Sequence, residues 1–208
     1  MRTFFNIMVY RLWFLPLAAA LLLSGCLSGP PPKLYLLEPV VALEADDSET
    51  TESNKIKRLG ISIVGLPGYA SDERIAGLGP DGSVYQDDRH RWADSPDDAI
   101  TRVLADRLRA HANATVLIEP WPRDFKPAAR VEVVFSRLLR EPLGGVDMSG
   151  QILLLSGDGR SVLKAMPFQF VHYGHNRDKT VFFTATSLGI DDIARMAVRT
   201  LVGEDLKL

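Results

Sequence analysis

Apolar and polar positions divide the chain into an apolar block near the start, an acidic stretch without large apolar residues, and a long region of alternating periods. The block runs from Leu12 to Leu23. Lys33–Leu37 predicts a short first strand, stopped by Glu38-Pro39. Glu44–Asn54 is acidic and rich in Ser and Thr, which predicts a solvated loop. Ile56–Val64 alternates, with Leu59, Ile61 and Ile63 on one face and Arg58, Gly60 and Ser62 on the other, the period of a half-buried strand. It runs into Leu66-Pro67-Gly68-Tyr69, where Pro-Gly signals a turn. Residues 70–90 are mixed, with a short strand expected over Gly82–Gln86 and a very polar run over Gln86–Arg91.

The clearest helix signal follows Arg91-Trp92-Ala93-Asp94. Ser95 can cap, Pro96 suits the first helical position, and Asp97 and Asp98 complement the helix dipole. Ile100, Val103, Leu104 and Leu108 then form one stripe that fades at His111-Ala112-Asn113. Thr115–Ile118 predicts a buried strand closed by Glu119-Pro120, and Arg130–Arg140 predicts another. Val146–Ser156 and Ser161–His172 flank Gly157-Asp158-Gly159-Arg160, a hairpin signal. Ile190, Ile193, Ala194, Ala197 and Leu201 predict a last amphipathic helix, with Asp191 and Asp192 near its start. Thr180–Thr186 is β-branched and aromatic, so propensity favours strand there, while its position also suits the first turns of that helix. This order predicts one α/β domain, a two-layer sandwich of a mixed or antiparallel sheet with two main helices on one face.

The single cysteine changes the picture of the N-terminus. Leu23-Ser24-Gly25-Cys26 follows the apolar block, and Arg2 and Arg11 give the start a basic character, the pattern of a bacterial export signal. The block is shorter than the roughly 20 apolar residues of a spanning helix. The four residues resemble the lipobox of bacterial lipoproteins, which implies a diacylglyceryl group on Cys26 after cleavage. The expected organisation is a signal peptide over 1–25, a lipidated tether over 26–32 with three prolines, and one domain over 33–208.

Residues 1–25 hold two of the 24 basic residues and no acid, so the mature chain sets 22 Lys and Arg against 26 Asp and Glu, a net charge of −4. That balance argues against nucleic acid, whose phosphates demand clustered cations. With its only thiol assigned to lipid, the domain has no disulfide or Cys-based metal site. Gly77-Leu78-Gly79-Pro80-Asp81-Gly82 matches the dinucleotide fingerprint in letters, but Pro-Asp-Gly is turn chemistry and no helix opens there. His172 and His175 are spaced wrongly for one metal on a strand, and read as a solvated loop pair. His90 and His111 read as surface residues. No Gly-x-Ser-x-Gly elbow exists, and the pairs Asp97-Asp98 and Asp191-Asp192 are explained by helix dipoles. No catalytic residue, metal or cofactor is expected. Trp121, in Glu119-Pro120-Trp121-Pro122, reads as exposed; Trp92 reads as a core residue or an interface anchor.

The lipobox at Cys26, Tyr35 in the first strand, Leu66-Pro67-Gly68-Tyr69 after the second, and Arg91-Trp92-Ala93 before a helix together resemble the ABC-transport auxiliary lipoproteins, and within them the paraquat-inducible C-type branch. The resemblance spans about residues 33–203. It implies an α/β fold ending in a long helix, which would make part of 180–189 helical although Gly189 would interrupt it. It also implies a periplasmic accessory subunit, anchored in the outer membrane by the lipid on Cys26. Its partners would be a tunnel protein of the mammalian-cell-entry (MCE) type or ABC transporter subunits, and it would form a ring-like homo-oligomer. Leu27, where inner-membrane lipoproteins carry Asp, agrees with outer-membrane sorting. Leu66, Pro67, Gly68, Tyr69, Arg91 and Trp92 are then expected to shape a partner surface or the fold beneath it. A free-standing lipid-binding or outer-membrane assembly lipoprotein is the alternative.

Overall fold

Alternation over Val131, Val133 and Phe135 builds the strand on which the rest of the sheet is assembled. In the computed structural model, which describes residues 30–39, 56–173 and 178–203, this is β6 (Ala129–Arg140) of an eight-stranded mixed sheet. The others are β1 (Lys33–Tyr35), β2 (Arg58–Ile61), β3 (Arg74–Leu78), β4 (Val84–Trp92), β5 (Thr115–Ile118), β7 (Gly145–Ser156) and β8 (Val162–Tyr173). Two helices complete the α/β domain, α1 (Pro96–Ala112) and α2 (Lys179–Gly203), and a 3₁₀ turn spans Gly68–Ala70. The signal, the acidic stretch Glu44–Asn54 and His175 lie outside the described residues.

One edge of β6 carries β7 along its whole length, antiparallel, and β8 follows on β7. The other edge is shared. β2 runs parallel beside residues 129–131 with β5 outside it, while β3 meets β6 at Gly77↔Arg140 and continues into β4 and β1. A bulge at Phe135/Arg137 marks the change of partner. α1 packs on β5 and α2, and α2 packs on β7 and β8. The core joins Leu59, Ile61, Ile75, Trp92, Leu104, Met148, Ile152 and Phe182.

Several expectations change. Alternation in the second strand breaks after Ile61: Ser62 N bonds Val131 O, but the next bond to β6 is from Gly65 N to Val133 O. Three residues therefore span two of β6, and faces swap. Ile63 turns out, 43% exposed, and Val64 turns in. Residues 74–92 form a hairpin: the strand expected over Gly82–Gln86 starts at Val84 and runs on through the polar residues to Trp92. Asp87, Asp88 and His90 hid its length because β4 is nearly an edge strand with a large register shift opposite Arg74/Ile75. Thr180–Thr186 is helical, since Phe182, Phe183, Thr186 and Ile190 are buried at helical spacing. Gly189 does not interrupt α2. A Cβ there would lie 2.5 Å from Met148 Sδ, so glycine lets the helix settle on β7. Asp191 and Asp192 lie in the middle of α2, where the dipole does not explain them. Trp121 is half-buried, not exposed: its ring covers Gly60, where a Cβ would come within 2.7 Å, and the Arg130 guanidinium sits 5.1 Å from its centroid.

Candidate functional site

Leu66-Pro67-Gly68-Tyr69 lies beside β6 near the point where β3 leaves it, while Arg91 and Trp92 close β4. Between the partners β2 and β3, one edge of β6 has no strand beside it, and Leu138 N would lack an acceptor. Tyr69 fills that position: its hydroxyl oxygen lies 3.4 Å from Leu138 N, and its carbonyl accepts from Gln86 Nε2 at 3.2 Å. Pro67 and Gly68 make this possible by closing the 3₁₀ turn, with Ala70 N donating to Pro67 O at 2.8 Å. Leu66 packs beside them against the core. This turn supports the fold.

Trp92 is likewise structural. It is 3% exposed and meets Phe182 and Phe183 edge-on at 5.8 and 4.9 Å, while Tyr35 of β1 stacks on Phe183 at 5.3 Å. It thus pins β4 to α2. Arg91, one residue earlier on the alternating strand, faces the other way into a groove of about 580 Å³.

Ser71, Asp72, Glu73 and Arg74 form one wall of this groove, and Asp88, Ser95 and Pro96 complete it. Asp72 accepts two bonds from the Arg74 guanidinium, each 3.0 Å, and one from Arg74 N at 2.9 Å. Those bonds, with the charge of Arg91 nearby, hold its carboxyl at about 2, below the ordinary 3.8. Arg74 also reaches Asp88 at 3.5 Å. Arg91 differs: its Nε is buried without an acceptor. The hydroxyls are committed, Ser71 to Pro67 O at 3.1 Å and Ser95 to Asp97. The adjoining N-terminus of α1 is compensated by Asp97 and Asp98. The groove therefore offers fixed charge pairs and one open donor. Sequence reasoning found Arg91 but not Asp72, Arg74 or Asp88, whose only signal was polarity in an unassigned stretch.

Each of the three described histidines pairs with a carboxylate. His90 bonds Asp87 at 3.0 Å, His111 bonds Asp191 at 2.7 Å, and His172 bonds Asp192 at 2.9 Å. Among the described residues no three His, Cys, Asp or Glu are placed to hold a metal. Gly77–Gly82 spans the end of β3 and its turn, with Gly82 at φ 81° and Asp81 accepting from Ser83 N at 3.0 Å. Among the described residues no helix is long and apolar enough to cross a membrane.

Two solved structures share the fold closely. A crystal structure of an uncharacterized protein superposes with a TM-score of 0.66 at 15% identity, covering 83% of this chain and 99% of that one. A Xanthomonas campestris protein gives 0.62 at 11% identity over 83% and 93%. A PelC dodecamer from Paraburkholderia phytofirmans is more distant, at 0.43 and 12% identity over 70% and 86%. No curated protein matches the sequence. The model of the ABC-type transport auxiliary lipoprotein component matches residues 35–196, from the first strand to the fifth turn of α2, and the chain belongs to that family.

Proposed function

We propose that this auxiliary lipoprotein acts as a periplasmic docking subunit of an intermembrane transport complex, as the paraquat-inducible C-type branch does. Its anchor is the diacylglyceryl group on Cys26, and the membrane is the outer one, consistent with Leu27 after the cysteine. Its partners are an MCE-type tunnel protein or ABC transporter subunits, met by a homo-oligomer.

The observation that carries the docking reading is Arg91. A guanidinium donor left buried without an acceptor costs about 1–3 kcal/mol, and a carbonyl or carboxylate from a partner would recover that cost. Arg is also among the residue types that dominate interfaces. The Arg74–Asp72 pair lies on one wall of the groove, and Arg74 also reaches Asp88 across its lining.

The test is recovery of membrane partners with the tagged, acylated protein from mildly solubilised envelopes. The expected result is an MCE-type or ABC-type membrane protein in the wild-type eluate and its loss with Arg91→Ala. Arg91→Ala should melt no lower than wild type, because it deletes a donor whose burial without an acceptor costs the free domain stability. Equal recovery with both proteins would show that the groove is not the docking site. Recovery of the acylated protein alone would favour a free-standing lipoprotein.

A further inference from the structure

Parallel register leaves one edge of the sheet open beside a groove. β1 pairs with β4 through Lys33↔His90 and Tyr35↔Trp92, and Ala93 N donates to Tyr35 O at 2.8 Å. In a parallel ladder alternate residues turn their N–H and C=O to the same neighbour. Tyr35 therefore bonds β4, and Leu34 turns its N–H and C=O the other way. Among the described residues no strand follows on that side. Such an edge is a template for pairing with another chain.

Side chains at this edge alternate. Leu34 and Leu36 are each 61% exposed, on the face where Leu34 stands beside Arg91, while Tyr35 and the buried Leu37 take the other. On the Tyr35 face a groove of about 330 Å³ separates the edge from α2, lined by Tyr35, Glu38, Pro39, Thr180, Phe183 and Thr184. Tyr35 stacks on Phe183 at 5.3 Å, which gives the groove an aromatic wall, and the Thr184 hydroxyl is bonded to Thr180 O at 3.3 Å. Lys33 and Glu38 stand exposed at the two ends, roughly 16 Å apart in extended chain. Neither has an ion pair among the described residues.

These features select one kind of occupant. An outward N–H and C=O on the same residue match an extended backbone, which neither a helix nor a lipid chain supplies. The groove takes an apolar side chain on one face, and opposite charges at the two ends take an acid beside Lys33 and a base beside Glu38. We infer that the open edge of β1 receives an extended segment of a partner protein by strand addition, with this charge order and with an apolar side chain in the Tyr35–Phe183 groove. The inference rests on the docking reading for the existence of a protein partner. It does not depend on Arg91, because no residue lining the Arg91 groove lines this one.

The test places the photocrosslinking residue benzoylphenylalanine at position 36 or 184 of the full acylated protein and irradiates intact envelopes. Both positions are exposed, so folding should be retained. Mass spectrometry of the crosslinked peptides should show one segment of one partner at both probes, attached at positions an odd number of residues apart, with an apolar residue between an acid and a base. Leu34→Pro removes the outward N–H and no ladder bond, and should lower the crosslink yield at least tenfold at both probes. Thr184→Trp fills the groove without touching β1, and should lower the yield at position 36 as far, which keeps the test decisive where proline disturbs the strand. Crosslinks to lipid or to a second copy of this chain overturn the inference by naming another occupant. Unchanged yields in both variants overturn strand addition. Recovery of a membrane partner with the tagged protein, but no crosslink at either probe, overturns the edge and leaves the docking reading standing.

Discussion

Tyr69 steadies the edge of β6 and Trp92 the contact of β4 with α2, through different interactions. The Trp92 ring is enclosed by Phe182 and Phe183, so Trp92→Ala removes a large buried surface and leaves a cavity. Such truncations cost about 3–5 kcal/mol, enough to unfold much of a domain whose total stability is on the order of 10 kcal/mol. Tyr69→Phe keeps the ring and removes only the acceptor of Leu138 N. At 3.4 Å that bond is long, and its loss should cost about 1 kcal/mol. Urea denaturation of the two variants should separate by at least twofold in midpoint shift. Similar shifts would mean that the Trp92 packing contributes no more than the single Tyr69 hydroxyl bond. Loss of partner recovery in Trp92→Ala would thus report unfolding rather than docking.

Elements whose burial is set by their own spacing were legible from sequence: α1 through its stripe and first-turn acids, β6, and the β7–β8 hairpin through its Gly-Asp-Gly turn. β3 and most of β4 were not, beyond the short strand expected over Gly82–Gln86, because an almost peripheral hairpin shows little apolar alternation, and the groove built on it was hidden with it. The start of α2 misled propensity, since Val181, Phe182 and Phe183 are strand-like residues retained in a helix by tertiary burial. The site was legible only as isolated residues: nothing local tells that Arg91 faces Asp72 and Arg74. Asp191 shows the same limit. Its neighbours are His111 and Arg107 of α1 at 2.7 and 3.8 Å, and Arg195 on its own helix at 2.8 Å. Three donors converge on one largely buried carboxylate, and this is the polar clamp between the helices. Asp191→Asn should destabilise by about 2–3 kcal/mol, below the 3–5 of a fully buried broken pair, because Arg195 is half exposed. Asp192→Asn loses a single, more exposed histidine partner and should cost less than 1 kcal/mol. Thermal melts of both variants decide it, and equal losses would refute the clamp.

At the scale of the whole molecule, the turns share one acid-sensitive device. Asp72, Asp81, Asp94 and Asp158 lie in four separate turns, and each accepts a nearby backbone N–H, from Arg74, Ser83, Ser95 and Arg160 respectively. Side-chain donors lower their carboxyls first, namely Arg74 for Asp72, Ser83 for Asp81, Arg102 for Asp94 and Ser156 for Asp158, and the backbone bonds lower them further. A carboxyl depressed in the folded state binds its proton more readily when unfolded, so stability rises with pH between the two values. The contribution is complete above the ordinary 3.8 and is lost as pH falls through the folded value, about 2 for Asp72. All four groups are solvent-exposed, so each part is modest, and the effect belongs to the set. The acid limb of stability between pH 4 and 2 should therefore flatten progressively as the four residues are changed to Asn, which preserves turn geometry. Arg74→Gln alone should reproduce the Asp72→Asn step, because it removes the main cause of that shift. Urea midpoints at pH 2, 3, 4 and 5 measure it. If the fourfold Asn variant keeps the wild-type slope, the acid sensitivity lies outside these turns.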